Sequence, residues 1–216
     1  MADIEHKNIA DPSIHEPKGV SSATAGQTYI ADGAGGGAWT TTSTIAGSVS
    51  QGVYDYNDLA TASTPITLAI SSTPAGATEV TNDAAGASTN TLYSLEGLDD
   101  VWLSDTDRFD WQVSDKLALG DTVSIRFDVE FTTTTNDTDV FLWLELGTGG
   151  SPYHLPVISA TGKKSSGVHK VLEWTGIYMG DTNTLTNEGR VLASADKAGC
   201  TLKVNGWFVK VLHTNT

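Results

Sequence analysis

One glycine-rich string in the sequence has the spacing of a dinucleotide-binding loop. Residues 33–38 read Gly-Ala-Gly-Gly-Gly-Ala, which satisfies the pattern G-x-G-x-x-G/A. A pyrophosphate binds such a loop only where a buried strand leads into it and the N-terminus of a helix follows. The next residues, WTTTSTIAGS, have no helical periodicity. We therefore expect these glycines to let the backbone turn tightly or lie close to another surface.

Oxygen ligands for a calcium ion could come from three aspartate-containing turns, at residues 105–107, 136–139 and 180–183. None of these turns has the twelve-residue loop that ends in a bidentate glutamate, and Asp-Thr is common in hairpin turns. The histidines show no metal-ligand spacing: they are His6, His15, His154, His169 and His213. The sequence therefore predicts turns rather than a metal site, and no cofactor. A bound Ca²⁺, as the alternative, would be structural rather than catalytic.

No nucleophile with a nearby base is identifiable, and no G-x-S-x-G motif occurs. Cys200 is the single cysteine, and its place in an alternating run favours a small buried residue over a reactive thiol. An acid pair for glycoside hydrolysis is set in three dimensions, so the sequence identifies none. A polysaccharide depolymerase also lacks support, because no long β-helix repeat occurs. We predict that the chain is not an enzyme.

Six tryptophans are candidates for stacking or anchoring. Four of them lie inside alternating runs, where core packing is expected: Trp111, Trp143, Trp174 and Trp207. Trp102 lies between acidic residues in DDVWLSD, which favours a surface or a subunit contact. Trp39 lies in a segment with no core of its own, so we expect it to anchor the chain in a partner's pocket.

The charge of the chain disfavours two classes of partner. Twelve basic and 26 acidic residues among 216 give a net charge of −14. A field of that sign repels phosphate backbones and anionic lipids, so neither nucleic acid nor a membrane is an expected partner. No apolar run approaches the roughly 20 residues that span a bilayer, and the first residues do not resemble a secretory signal. We expect a soluble protein that is made in a cytoplasm.

The elements that position these residues are predicted to be strands, because the apolar period is two from residue 64 onward. DTVSIRFDVEF, residues 121–131, alternates apolar and polar side chains, as in an antiparallel strand with one dry face. VFLWLEL, residues 140–146, is apolar on both faces and should be a central strand. The last run changes its apolar phase, which predicts a bulge near 206–209. Residues 51–216 are thus predicted to form an all-β domain, an antiparallel β-sandwich.

Residues 1–50 have a different composition, because their large apolar side chains are few and scattered. Such a segment cannot enclose a core, and ordering its many small residues is entropically costly. We predict an extended N-terminal arm that becomes ordered against a partner. Its small residues permit close backbone approach, and Tyr29, Ile30 and Trp39 are its apolar anchors.

The string IHEPKGVSSATAGQTYIADGAGGGAW, residues 14–39, precedes a β-rich domain that contains LALGDTVSIRFDVEF. This arrangement resembles structural proteins of tailed bacteriophages, a group that includes capsid decoration (cement), head-fibre and tail-associated proteins. The sandwich resembles jelly-roll or tumour-necrosis-factor-like modules. The resemblance implies a virion component on the capsid exterior, made in the host cytoplasm, whose arm binds the major capsid protein. The arm residues assigned to docking are His15, Pro17, Tyr29, Ile30 and Trp39.

Three tethered arms would meet a symmetric capsid lattice together, so we expect a homotrimer. The candidate contact strands are VFLWLEL and CTLKVNGWFVKVL, residues 140–146 and 200–212. The alternative is a head-fibre or tail-associated module that binds a host glycan or a host surface protein. Such a module would use exposed aromatic residues such as Trp102, together with the loops at 132–139 and 180–189.

Overall fold

The structure is a computed structural model that describes six ranges of the chain: 22–34, 36–41, 49–84, 100–111, 117–158 and 165–214. The chain divides into two compact units, Met1–Ser50 with Thr214–Thr216, and Gln51–His213. None of the helices in these ranges is long and apolar enough to cross a membrane.

The described part of the first unit contains a β-hairpin. Strands β1 (Gln27–Ala31) and β2 (Gly37–Thr41) pair antiparallel. Each strand is extended, but the segment folds back on itself, which differs from the single extended arm that the sequence predicted. The cause is local: Asp32-Gly33 begins the connection, Gly33 adopts a φ of +75°, and Asp-Gly is a strong hairpin signal.

The remaining strands and helices follow in chain order. They are β3 (Val49–Asn57), α1 (Ala60–Ser63), β4 (Ile66–Thr67), β5 (Ala69–Ile70), a 3₁₀ turn (Pro74–Gly76), β6 (Thr78–Glu79), β7 (Trp102–Leu103), β8 (Arg108–Phe109), β9 (Thr122–Thr133), β10 (Val140–Thr148), β11 (Tyr153–Ile158), β12 (Gly167–Tyr178), α2 (Thr182–Thr186), β13 (Glu188–Ala195) and β14 (Thr201–Thr214).

These strands form two sheets. The seven-stranded sheet has the order β11-β10-β13-β8-β7, and β5 and β6 also pair with β13. The five-stranded sheet has the order β12-β9-β14-β3, and β4 also pairs with β14. The long strands pair antiparallel, as β9 does with β12 and β14 and as β10 does with β13. The predicted antiparallel β-sandwich is confirmed.

Alternation along β9 explains why these segments stack as a sandwich. Its odd-numbered residues from Val123 to Phe131 are buried, whereas the residues between them face outward. Both sheets contribute to one core, in which Ile125 of β9 and Leu142 and Leu144 of β10 belong to the same apolar cluster. Full burial of each such side chain contributes roughly 1.5–3 kcal/mol, so alternation at period two fixes which face of each strand is inward.

The two strands expected to make subunit contacts are interior strands. VFLWLEL forms most of β10, which lies between β11 and β13 and is buried along most of its length, so its predicted central position is confirmed. β14 lies between β9 and β3. Because both edges of each strand are already paired, neither strand offers a free edge to another copy of the chain.

A bulge divides β14. The register against β9 shifts between Val204 and Gly206, which confirms the predicted bulge at the beginning of the expected interval. The additional residue, Asn205, donates a hydrogen bond from Nδ2 to Oδ1 of Asp128 at 2.8 Å. Gly206 lies so close to β3 that a Cβ there would be 2.5 Å from the carbonyl oxygen of Tyr56. The bulge therefore needs a residue without a side chain at position 206.

Gly206→Ala is expected to lower the free energy of unfolding by about 1–3 kcal/mol, because the new methyl group must displace the backbone of β3. Gly176→Ala in β12 is the matched control, since a Cβ there would meet no atom within 4 Å. Equilibrium urea unfolding of both variants tests this expectation. Equal unfolding midpoints for the two variants would contradict it.

Candidate docking site

The hairpin carries two aromatic rings on one face. Tyr29 and Trp39 are directly opposite in the register of β1 and β2, so their side chains project to the same side. The rings meet edge to face with their centroids 5.5 Å apart, and both side chains are partly exposed. Such a pair contributes about 0.5–1.5 kcal/mol beyond the burial of its area. The contact therefore supports the hairpin and also presents a surface made of two rings.

Ile30 lies on the other face of the hairpin, because successive residues of a strand point to opposite sides. Its register partner is Ala38, and its side chain is exposed. The structure thus brings Tyr29 and Trp39 together but separates Ile30 from them. The other two residues assigned to docking, His15 and Pro17, lie outside the described residues.

The turn of the hairpin gives a physical reason why its glycine-rich string is a poor phosphate site. Oδ1 of Asp32 accepts hydrogen bonds from the backbone N–H groups of Ala34, at 2.8 Å, and Gly36, at 2.9 Å. These bonds hold the pKa of Asp32 below its ordinary value. The N–H groups that a phosphate would need already bind a carboxylate of the chain, and the charge of that carboxylate repels an anion.

Trp102 is a core residue, so its predicted surface position was wrong. The side chain is 2% exposed and packs edge-on against Phe109 and Trp207, with ring centroids 4.7 and 5.9 Å away. Its Nε1 donates a hydrogen bond of 2.9 Å to the carbonyl oxygen of Asn82. Of the acidic residues that suggested a surface, Asp105 lies in the turn between β7 and β8. In the same turn Asp107 accepts a bond from the Asn82 N–H.

The other tryptophans of the sandwich divide into two groups. Trp111, Trp143 and Trp207 are buried, as their alternating runs predicted. Trp174 is 51% exposed, so its predicted core position was wrong. The reason is its phase on β12: Ile177, three positions later, is buried on the inward face, and Trp174 therefore points outward. The exposed aromatic residues of this domain therefore include Trp174 and not Trp102.

Several oxygen atoms of the aspartate turns accept hydrogen bonds within the chain. Asp181 caps α2, accepting bonds from the backbone N–H and the hydroxyl of Thr184 at 2.8 and 3.0 Å. These bonds lower the pKa of Asp181. Lys197 Nζ donates to the carbonyl oxygens of Asn136 and Asp137, each at 2.7 Å. Among the described residues, no group of three or more His, Cys, Asp or Glu side chains is placed to hold a metal ion.

A charged network crosses the outward face of the seven-stranded sheet, and the sequence did not reveal it. Arg190 donates to Glu145 from Nε at 2.7 Å and from Nη2 at 3.1 Å, and to Glu79 from Nη1 at 3.1 Å. His154 Nε2 lies 2.9 Å from the Glu145 carboxylate, and Arg108 pairs with Glu79. Glu145 is the register partner of both Arg190 and His154. The residues of this network are distant in sequence and come together only through strand pairing, so no local sequence motif indicates the network.

No protein-family model and no curated protein matches the chain. Among solved structures, it is similar to a chain of the T13 IBDV viral particle, with 12% identity and a TM-score of 0.41 over 85% of this chain and 35% of that one. A chain of the infectious bursal disease virus Gx strain gives 12% identity and a TM-score of 0.36, over 87% and 36%. Dimeric latent PorU from Porphyromonas gingivalis gives 8% and 0.36, over 89% and 14%. This chain spans about a third or less of the length of these solved chains.

Proposed function

We propose that this chain is a non-enzymatic structural protein of a tailed-bacteriophage virion, a decoration protein on the capsid exterior. Residues 1–50 bind the major capsid protein, and the sandwich projects outward. The observation that supports this most is the hairpin, because all but its last two residues lie within the string that resembles phage docking arms, residues 14–39, and it presents Tyr29 and Trp39 together.

The hairpin has the physical properties of a docking element. A two-stranded sheet with five residues in each strand is marginally stable alone in water. Its stability rises if one of its strands adds to a sheet of another protein, because backbone groups then gain hydrogen-bond partners. A turn that is formed before binding also reduces the ordering cost, which is about 1 kcal/mol or more for each residue.

A homotrimer fits this role best. One arm of this kind binds its site only moderately, because much of the interaction energy is spent on ordering small residues. Three arms tethered to one trimer raise the effective concentration of the second and third arms at a symmetric lattice. Tight decoration then follows from moderate single contacts.

Deleting residues 1–48 is expected to leave a folded domain that no longer binds capsids, since the second compact unit is Gln51–His213. The measurement is co-sedimentation of purified protein with particles that lack it, with far-ultraviolet circular dichroism to confirm folding. A truncated chain that binds particles as well as the full chain would overturn the docking assignment.

Point variants of the hairpin provide matched controls for this deletion. Trp39→Ala removes one of the two paired rings, and Ile30→Ala removes an exposed apolar side chain from the opposite face. We expect Trp39→Ala to weaken particle binding by roughly thirtyfold, as for an aromatic residue at the centre of an interface. Ile30→Ala, at a smaller docking residue on the opposite face, is expected to weaken binding less than Trp39→Ala. Equal effects of the two variants would show that the paired rings are not the main anchor.

A further inference from the structure

β12 carries a stripe of exposed apolar side chains on the outward face of the five-stranded sheet. The β12 stripe consists of Val168, Leu172, Trp174 and Tyr178, which are 60%, 56%, 51% and 65% exposed. They lie at even-numbered positions of one strand, so all four project to the same side. Soluble proteins concentrate exposed apolar surface of this kind at interaction sites.

An arginine lies beside the aromatic part of the β12 stripe. Arg126 of β9 is the register partner of Trp174 and of Phe208 in β14. Its Cζ is 5.9 Å from the ring centroid of Trp174 and 5.1 Å from that of Phe208. The two rings meet edge to face at 5.7 Å. Trp, Tyr and Arg are the residues that dominate binding energy at the centres of protein interfaces, and this row contains two of those types.

Strand β12 is uncovered at Gly176, between Trp174 and Tyr178, and we call this open position the groove. The cross-strand row between them consists of Gly176, Ser124 and Lys210, two of which are small. A Cβ at Gly176 would meet no atom within 4 Å, so the floor of the groove is open. Four residues of a strand span roughly 13 Å, which leaves room between the two aromatic side chains for a side chain of a partner.

β12 is also an edge strand. It has twelve residues and, among the described residues, pairs only with β9. Natural sheets block long exposed edges with proline, bulges or charge, because an open edge invites pairing with another chain. β11, an edge strand of the other sheet, contains Pro156, whereas β12 contains no proline and carries the exposed charged residues Lys170 and Glu173. The β12 stripe lies on a strand that pairs on one side only among the described residues, and its apolar side chains gain stability when another protein covers them.

The charge beside the stripe is positive at its Trp174–Tyr178 end, whereas the rows of Lys170 and Leu172 contain Glu130 and Asp128. The three cross-strand rows from Trp174 to Tyr178 contain two cations, Arg126 and Lys210, and no acidic residue. Neither cation has an ion-pair partner among the described residues. The whole chain nevertheless has a net charge of −14, so another copy offers acidic surface to this face.

We propose that the β12 stripe is an interface between copies of this chain, in which acidic surface of one copy packs against the Trp174–Tyr178 end of the stripe of the next. A head-to-tail contact of this kind closes into a ring when its rotation permits. The number of copies, three, rests on the trimer of the proposed function. The choice of this surface as the interface rests on the exposed apolar residues of β12 and on the cations beside them, Arg126 and Lys210.

Two variants of the full chain test this interface by light scattering after size exclusion and by sedimentation at micromolar concentration. Trp174→Ser removes the largest exposed side chain, and Gly176→Leu fills the groove where the fold has open space. We expect each variant to weaken self-association by roughly thirtyfold or more. Tyr153→Ser, which alters an exposed aromatic residue of β11, is the matched control and should keep the assembly of the unchanged chain.

An unchanged chain that is monomeric at this concentration would overturn the interface, as would variants that assemble like the unchanged chain. If Trp174→Ser keeps the assembly but loses binding to particles or to a glycan array, the stripe serves another partner and the proposal is wrong. A dimer that depends on Trp174 would support the interface and contradict the trimer. Deleting residues 1–48 separates the two proposals, because it is expected to abolish particle binding and leave self-association intact.

Discussion

Replacing Glu145 with alanine is expected to lower the free energy of unfolding by about 2–4 kcal/mol. Its side chain is 4% exposed and accepts hydrogen bonds from Arg190, His154 and Thr148. Without this carboxylate, Arg190 keeps Glu79 as its partner and loses two charge-assisted bonds. The loss falls below that of a fully buried ion pair because the Arg190 side chain is 30% exposed and regains some hydration.

The same carboxylate contributes to the pH dependence of stability. Burial acts to raise the pKa of Glu145, but hydrogen bonds from Arg190 and Thr148 outweigh it, so the pKa lies below its ordinary value in the folded chain. The stability it contributes is therefore complete above the unfolded pKa of about 4.3 and is lost as the pH falls through the folded pKa. Glu145→Gln should be less stable than the unchanged chain at neutral pH and should lose less further stability on acidification.

Urea unfolding at about pH 7, pH 5 and pH 3 measures both effects, because the ordinary glutamate pKa lies inside this interval. Glu173→Gln, an exposed position on β12, is the matched control and should change stability by no more than about 0.5 kcal/mol. A Glu145→Gln variant whose midpoint falls with pH as steeply as that of the unchanged chain would contradict the assigned role of the carboxylate.

The strands that sequence predicts best are those with one dry face. β9 alternates without interruption over its whole length, and the phase change in β14 shows at the bulge. The charged network was not predictable, since Glu145 and Arg190 meet only through the pairing of β10 with β13. Within the N-terminal segment, composition suggested one extended arm. The Asp-Gly turn and the cross-strand pair of Tyr29 and Trp39 instead produce a hairpin.

The two misplaced tryptophans have different physical causes. An alternating run shows that a side chain avoids water, but burial in the chain's own core and burial against another protein favour the same residue types. Trp174 therefore resembles a core residue in sequence although it lies on the outward face of β12. Trp102 was misplaced in the opposite direction, because acidic residues near it in the sequence suggested a surface position although the side chain is in the core. Its hydrogen-bond partner, Asn82, is distant in sequence and gave no local signal.

Trp102→Ala is expected to lower the free energy of unfolding by about 3–5 kcal/mol, the range for removing a large aromatic side chain from a packed core. Truncation of Trp102 leaves a cavity, removes the ring contacts with Phe109 and Trp207, and leaves the Asn82 carbonyl oxygen without its indole donor. Trp102→Phe keeps an aromatic ring but loses the N–H group. It should cost less than the alanine variant, and at least about 1 kcal/mol for the lost hydrogen bond.

The control for Trp102 is Tyr153→Ala, which truncates an aromatic residue that is exposed on β11. We expect this change to alter the free energy of unfolding by no more than about 0.5 kcal/mol, as at most surface positions. Urea unfolding of the three variants at one protein concentration gives the comparison. If Trp102→Ala unfolds at the same midpoint as Tyr153→Ala, Trp102 does not support the core. If Trp102→Ala is much less stable than Tyr153→Ala and Trp102→Phe lies between them, the stability that phenylalanine restores measures the contribution of an aromatic ring. The stability that it does not restore includes the lost hydrogen bond from the indole N–H to Asn82.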